Sequence, residues 1–460
     1  MRLKRLLKLI CCILIVGCAS TAHGKKDNKG GLKHPPKNIV IMISDGCGYN
    51  HVDAASLYQY GRTGKQAYEK FPVRCAMSTF MAGGSYDPNR AWASFDYVKR
   101  GYTDSAAAAT AMSTGVKTYS GAIGVGVNVG KKPLTHLVDR CEQLGKATGV
   151  ITTVQLSHAT PAGFVTHNES RNNYAAIANE MFYKSALEVI MGAGHPMYDN
   201  NNQLITEPNN FEYKYVGGKD TWTDLSDGRL TGADGDGDGL ADNWTIIEER
   251  SDFQVLMDGP TPSRIIGIAQ VNGTLQQRRS GGGNAVPYTV ELNQNVPTLA
   301  EMTQAALNVL DNDPDGFFLM VEGGAVDWAG HGNQSGRVIE EEIDFNKSVE
   351  AVLEWVKAGS NWDETLVIVT ADHECGYLTG PDSGQAEDGP TWNSIINNGR
   401  GKMPSMEWHS GSHTNSLVPF YARGRGAYLF KKAAANIDSV RGDYIDNTDI
   451  AKTIFALLAD

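Results

Sequence analysis

Cysteine is scarce in this sequence and scattered where it occurs: seven in 460 residues, of which Cys47, Cys75, Cys141 and Cys375 follow Cys18. So few thiols at such spacings exclude a disulfide framework, and their pairing is not legible in the spacing. Positive charge is also short. Lys and Arg number 41 against 52 Asp and Glu, a formal net charge of −11, which argues against a nucleic-acid partner. No internal repeat and no low-complexity tract is visible, which excludes a stacked repeat array. The apolar run from Leu9 to Val16 is too short to cross a bilayer.

That run has another use. It follows the basic residues Arg2, Lys4, Arg5 and Lys8 and ends at Ile15-Val16-Gly17-Cys18, the order of a signal peptide. Its last four residues resemble a bacterial lipobox, which implies cleavage before Cys18 and acylation of that thiol; ordinary cleavage near Ala22 or Gly24 is the alternative. Loss of residues 1–17 takes the charge from −11 to −15. We therefore expect a signal peptide over 1–17, a polar tether over 18–36, a catalytic domain over 37–460, and an exported protein of the bacterial cell envelope, periplasmic or surface-held through Cys18.

Within 37–460 one pattern recurs: a short β-branched run followed at once by acidic or hydroxyl residues. Residues 38–44 end at Asp45, 148–154 near Ser157-His158-Ala159-Thr160, 317–321 at Glu322 and 366–370 at Asp372-His373. Continuous apolar runs separated by helical patterns mark parallel strands buried on both faces. A capping box, Thr298-x-x-Glu301, opens a helix after Pro297, and 338–357 reads as a longer helix stopped by Gly359. The fold class is thus α/β, a large, mostly parallel central sheet flanked by helices. Polar stretches 196–297 and 380–408 break the pattern and read as insertions over or beside the sheet. Ligands of such sheets bind at the carboxyl ends of the strands, where these polar residues gather.

The stretch 102–124 offers one nucleophile-like hydroxyl at the start of a small-residue helix. Asp104 caps a helix that starts at Ser105, Ala106 to Ala109 leave its first turns without bulk, and Gly115 stops it. A hydroxyl at a helix N-terminus sits where free N–H groups favour an alkoxide or a phosphate, although a capped core helix would explain the same residues. Asp327 and His331 stand i, i+4 and share a face if helical; glycines at 323, 324, 330 and 332 argue for a tight loop instead. His413 precedes a strand over 417–423. So many carboxylates and imidazoles at one sheet edge call for cations, zinc for mixed Asp/His sets and magnesium for oxygen-rich ones.

The ordered motifs resemble the alkaline phosphatase family. Thr103-Asp104-Ser105-Ala106-Ala107, Ala159-Thr160-Pro161-Ala162 with Arg171, Val321-Glu322-Gly323 with Asp327 and His331, Thr370-Ala371-Asp372-His373, His413 and the closing 446–451 all match, from about Lys37 onward. The resemblance implies a phosphomonoesterase with Ser105 as nucleophile and Arg171 gripping phosphate. It also implies zinc on Asp327, His331 and His413, a second zinc on Asp45, Asp372, His373 and Ser105, and magnesium on Glu322, Thr160 and Asp45. His409 competes with His413 for the last position; the resemblance favours His413, whose distance to Ala422-Arg423-Gly424 fits the family better. His158 and Trp328 stand where the enteric branch has Asp and Lys, so no lysine is expected near the phosphate. A homodimer is implied by the same resemblance, and membrane attachment only by the lipid anchor.

A separate motif, Asp234, Asp236, Asp238 and Asp242 with Gly239, reproduces positions 1, 3, 5, 9 and 6 of an EF-hand-like calcium loop. Thr245 occupies position 12, so Glu248 or Glu249 would have to supply the bidentate ligand. A sulfatase is disfavoured because no Cys or Ser is followed by x-Pro-x-Arg; a phosphodiesterase is the nearer rival, and a calcium-stabilised adhesion protein would leave the sheet-edge ligands unexplained.

Overall fold

The strand at Asn38–Ser44 (β1) is the hinge of the architecture, because every residue of NIVIMIS is buried and it pairs in parallel on both sides. The computed structural model describes residues 34–128, 130–234 and 239–459. The other sheet strands follow in chain order: Val73–Ser78 (β2), Ala147–Gln155 (β3), Val189–Ala193 (β4), Thr245–Ile247 (β5), Ile265–Ile268 (β6), Phe317–Gly323 (β7), Thr365–Thr370 (β8), Val418–Gly424 (β9), Asn436–Asp438 (β10) and Gly442–Asp446 (β11). These eleven form one sheet in the order β10-β11-β2-β9-β8-β1-β7-β3-β4-β6-β5. From β8 through β5 the neighbours run parallel, while β9 lies antiparallel between β8 and β2.

Register turns this order into a site. Ile43 pairs with Glu322 on one side and Thr370 on the other, and Thr152 of β3 pairs with Glu322. Asp45, Glu322 and Asp372-His373 therefore leave three adjacent strands at one edge. Because β9 is antiparallel, its start lies at that same edge, which brings in His413.

The expected helices form. Ser105–Thr114 (α1) is wholly buried, capped by Asp104 and ended by Gly115 at φ 74°, where a left-handed residue without a side chain is needed. Its alanines let Ala159–Val165 (α2) approach so closely that a Cβ on Gly163 would lie 2.7 Å from that of Ala109. The core-helix and nucleophile readings of this stretch are thus compatible. Leu299–Leu310 (α3) has the Thr298/Glu301 capping box, with the Thr298 N–H donating to Glu301 Oε2 at 2.8 Å and the Glu301 N–H to Thr298 Oγ1 at 3.1 Å. Ala325–His331 (α4) is a short helix rather than the loop its flanking glycines suggested; the glycines lie outside it or at Gly330, where a Cβ would press on Cys375. Ser335–Gly359 (α5) begins three residues earlier than the sequence pattern indicates, and Thr448–Leu457 (α6) closes the chain against α1.

The stretch 196–297 is not purely an insertion. It supplies β5 and β6, which extend the sheet beyond β4 but are too short, at three and four residues, to stand out as apolar runs. The stretch 380–408 stays outside the sheet and folds into small ribbons, Gly384–Ala386 with Gly389–Thr391 among them. Cys47, Cys75, Cys141 and Cys375 are free thiols. Among the described residues no helix is long and apolar enough to cross a membrane. Residues 1–33, with the lipobox and Cys18, and Asp236 and Asp238 of the acidic loop lie outside the described residues.

Candidate active site

Ser105 opens α1, and its Oγ lies 3.2 Å from His373 Nε2. Asp104 holds this corner with both oxygens: Oδ1 accepts from the Ala107 and Gly121 N–H groups at 3.2 and 3.0 Å, and Oδ2 from Arg171 Nη1 at 3.0 Å. The helix cap and the guanidinium tether are therefore one carboxylate, a link the sequence did not disclose.

Three imidazoles turn Nε2 toward carboxylates. His331 and His413 each donate Nδ1–H to a backbone carbonyl, of Gly411 at 2.8 Å and Thr103 at 2.9 Å; a carbonyl only accepts, so this fixes the ring orientation. Their Nε2 atoms then lie 3.5 and 3.3 Å from the Asp327 carboxylate. His373 Nε2 lies 3.0 Å from Asp372 Oδ2 and 3.6 Å from Asp45 Oδ1, and its ring stacks on His413 with centroids 3.6 Å apart. Asp372 Oδ1 is pinned by the Gly46 and His373 N–H groups at 3.0 and 2.8 Å. His409 lies elsewhere, bonded to Thr379 Oγ1 at 2.7 Å.

These carboxylates are unsettled as they stand. Both oxygens of Asp45, Asp327 Oδ1, Asp372 Oδ2, Glu322 Oε1 and Thr160 Oγ1 are buried with no hydrogen-bond partner. Burial, reinforced by Asp372, Asp327 and Glu322, pushes Asp45 well above the usual carboxylate range. Burial likewise raises Glu322 to about 7, against the pull of its Thr152 hydrogen bond, and Asp372 to about 6. At Asp327 burial is outweighed by His413 and His331, which hold it below its ordinary value, and the same attraction overcomes burial to lift His413 to about 9. Buried carboxylates drawn toward protons at Asp45, Glu322 and Asp372, and toward the His413 and His331 imidazoles at Asp327, form a donor set suited to cations; the mixture of oxygen and imidazole nitrogen fits zinc, with an all-oxygen corner at Glu322 and Thr160 for magnesium. Of three groups with metal-ligand spacing among the described residues, two lie here, Asp327, His331, His413 with Cys375, and Asp45, Asp327 with His373; the third, His136, Asp139 and His167, lies elsewhere. Cys375 went unread because a lone cysteine carries no motif.

Ser105, Arg171, Asp327, His331 and His413 line one cavity of about 330 Å³, together with His158, Trp328, Gln277 and Arg278. His158 packs edge-on to Trp328, centroids 5.4 Å apart, and burial and then the Arg171 charge depress it to about 3, so it is neutral. Gln277 and Arg278 come from the polar stretch 196–297, where nothing in the sequence marked them. Of the acidic loop, Asp234 accepts from the Gly239 N–H at 2.9 Å.

Comparison with known proteins follows the same lines. The family described as alkaline phosphatase matches residues 36–402. Alkaline phosphatase 3 of Bacillus subtilis is 27% identical over 501 residues, covering 96% of this chain and 92% of the relative. Alkaline phosphatase of Escherichia coli K12 is 30% identical over 444 residues, covering 92% and 86%. The solved alkaline phosphatase from the Antarctic bacterium TAB5 shares the fold, with a TM-score of 0.61 at 24% identity, covering 92% of this chain and 99% of that one.

Proposed function

The chain belongs to the alkaline phosphatase family, a phosphomonoesterase by that membership, and from this premise we propose that it transfers the phosphoryl group of a monoester to Ser105 and then to water. The observation that carries the reading is the shared cavity: a helix-start hydroxyl, a tethered guanidinium and the Asp327 carboxylate with its two imidazoles open onto one space.

Two zinc ions, on Asp327, His331 and His413 and on Asp45, Asp372 and His373, with magnesium at Glu322, Thr160 and Asp45, would supply Lewis acidity toward the nucleophile and the leaving oxygen. The chain's own part is positioning and charge. The N-terminus of α1 favours the Ser105 alkoxide over the hydroxyl. Asp104 holds one edge of the Arg171 guanidinium and leaves its remaining N–H groups for two non-bridging phosphate oxygens. Ser105 Oγ, its proton given up to solvent, bonds to phosphorus as the ester P–O bond breaks on the opposite side, and the departing oxygen takes a proton from solvent to leave as the alcohol. Water then attacks the phosphoserine, the Ser105 P–O bond breaks, and inorganic phosphate leaves.

Substrate class tests this. A monoester dianion has three non-bridging oxygens, a diester two; the second ester group of a diester would leave Arg171 without its bidentate partner, a loss on the order of several kcal/mol in a buried site. Turnover of p-nitrophenyl phosphate should exceed that of bis-p-nitrophenyl phosphate by orders of magnitude in kcat/KM, and Arg171→Ala should narrow the gap; a parent enzyme preferring the diester would overturn the reading.

Calcium in the Asp234 to Asp242 loop, acylation of Cys18 and a homodimer belong to the same proposal. Calcium content of Asp236→Ala, membrane fractionation of Cys18→Ser and sedimentation are the respective checks, and each fails if variant and parent, or monomer and measured mass, agree.

A further inference from the structure

Arg278 and Arg279 are neighbours with opposite fates. Arg279 is buried, its Nη2 2.7 Å from Glu340 Oε2 and its Nε donating to the Glu291 carbonyl at 2.9 Å. Arg278 is exposed, and among the described residues its guanidinium has neither a carboxylate nor a hydrogen-bond acceptor. It is nonetheless held in place. The backbone N–H donates to Thr274 Oγ1 at 2.8 Å, the stem passes Gly273, where a Cβ would come within 2.7 Å of Arg278 Cδ, and Cζ lies 4.3 Å from the Trp328 ring centroid. A cation over an indole face is attracted by the ring quadrupole and kept from wandering into solvent.

The place matters because the indole belongs to the residue after Asp327, and both Trp328 and Arg278 line the cavity that contains Ser105 and Arg171. The two guanidinium groups are not equivalent. Arg171 is neutralised in part by Asp104 and sits beside the nucleophile; Arg278 is unpaired and stands at the mouth. One phosphoryl dianion satisfies the first. The second is left for a charge on the part of the substrate that points outward, which is the leaving group.

We propose that Arg278 is a specificity-determining residue that selects phosphate monoesters whose leaving group carries a second anionic group, a carboxylate or a further phosphate. This rests on the monoesterase reading above. Such a contact forms at a solvated rim, so it should change preference severalfold rather than abolish turnover.

The test is a ratio. For 4-carboxyphenyl phosphate against its methyl ester, and for benzene-1,4-diyl bisphosphate against 4-methoxyphenyl phosphate, kcat/KM is measured in the parent, Arg278→Gln and Arg278→Lys. The parent ratio in at least one pair should fall roughly threefold to tenfold in Arg278→Gln, be partly restored in Arg278→Lys, and shrink with added salt. The pair with the larger fall distinguishes carboxylate from phosphate. Ratios that are the same in parent and Arg278→Gln in both pairs would overturn the assignment of Arg278 while leaving the monoesterase reading intact; a parent that hydrolyses none of the four would overturn that reading itself.

Discussion

His331 Nε2 and His413 Nε2 lie 3.0 Å apart although 82 residues separate them, and Asp327 faces both. With each Nδ1 held against a backbone carbonyl, both Nε2 atoms are turned toward the Asp327 carboxylate and toward each other, the arrangement in which a cation would be held. Chelation should therefore abolish activity and lower the melting temperature, because ions that bind the folded state alone stabilise it, by about 4 kcal/mol at a thousand times Kd. Zinc with magnesium should restore both. His413→Ala should lose one zinc per chain and more than about a hundredfold in kcat/KM; full activity after exhaustive chelation would contradict the assignment.

Asp104 separates capping from tethering. Asp104→Asn keeps an acceptor for the Ala107 and Gly121 N–H groups but gives up the ion pair with Arg171, so its melting temperature should stay near the parent's while kcat/KM falls about tenfold. Asp104→Ala should lose activity and in addition about 1 kcal/mol of stability. Thermal melts and steady-state kinetics on the two variants decide, and equal destabilisation in both would place the stabilising role in the ion pair.

Away from the site, Glu188 offers a pH signature. Burial lifts its carboxyl to about 8, although the Thr148 N–H donates to Oε2 at 2.6 Å. The unfolded chain releases this proton near pH 4.5, so between there and about 8 the folded state binds the proton that the unfolded state has lost, and stability falls as pH rises. Glu188→Gln, neutral at every pH, should show a shallower decline in melting temperature from pH 5 to 8. Parallel curves for variant and parent would rule this out.

Much of this fold was legible because β1, β3, β7 and β8 are buried on both faces and so read as apolar or β-branched runs. Their exits at Asp45, Glu322 and Asp372 followed from the same reading. What escaped has physical reasons. β5 and β6 are too short to carry periodicity, and the glycines around 325–331 obscured a helix in which one of them, Gly330, allows close packing against Cys375. The Asp104 tether to Arg171 spans 67 residues, and Arg278 projects from irregular chain, where no period says which way a side chain points.

The central claim is that Ser105 carries the phosphoryl group between substrate and water. The direct measurement is mass spectrometry of the Ser105 peptide from enzyme quenched in acid during turnover of a monoester, in the parent and in Ser105→Ala. One phosphoryl group on Ser105 of the parent, and loss of turnover in the variant, is the predicted result; an unmodified Ser105 during turnover, with Ser105→Ala releasing phosphate at the parent rate, would contradict it.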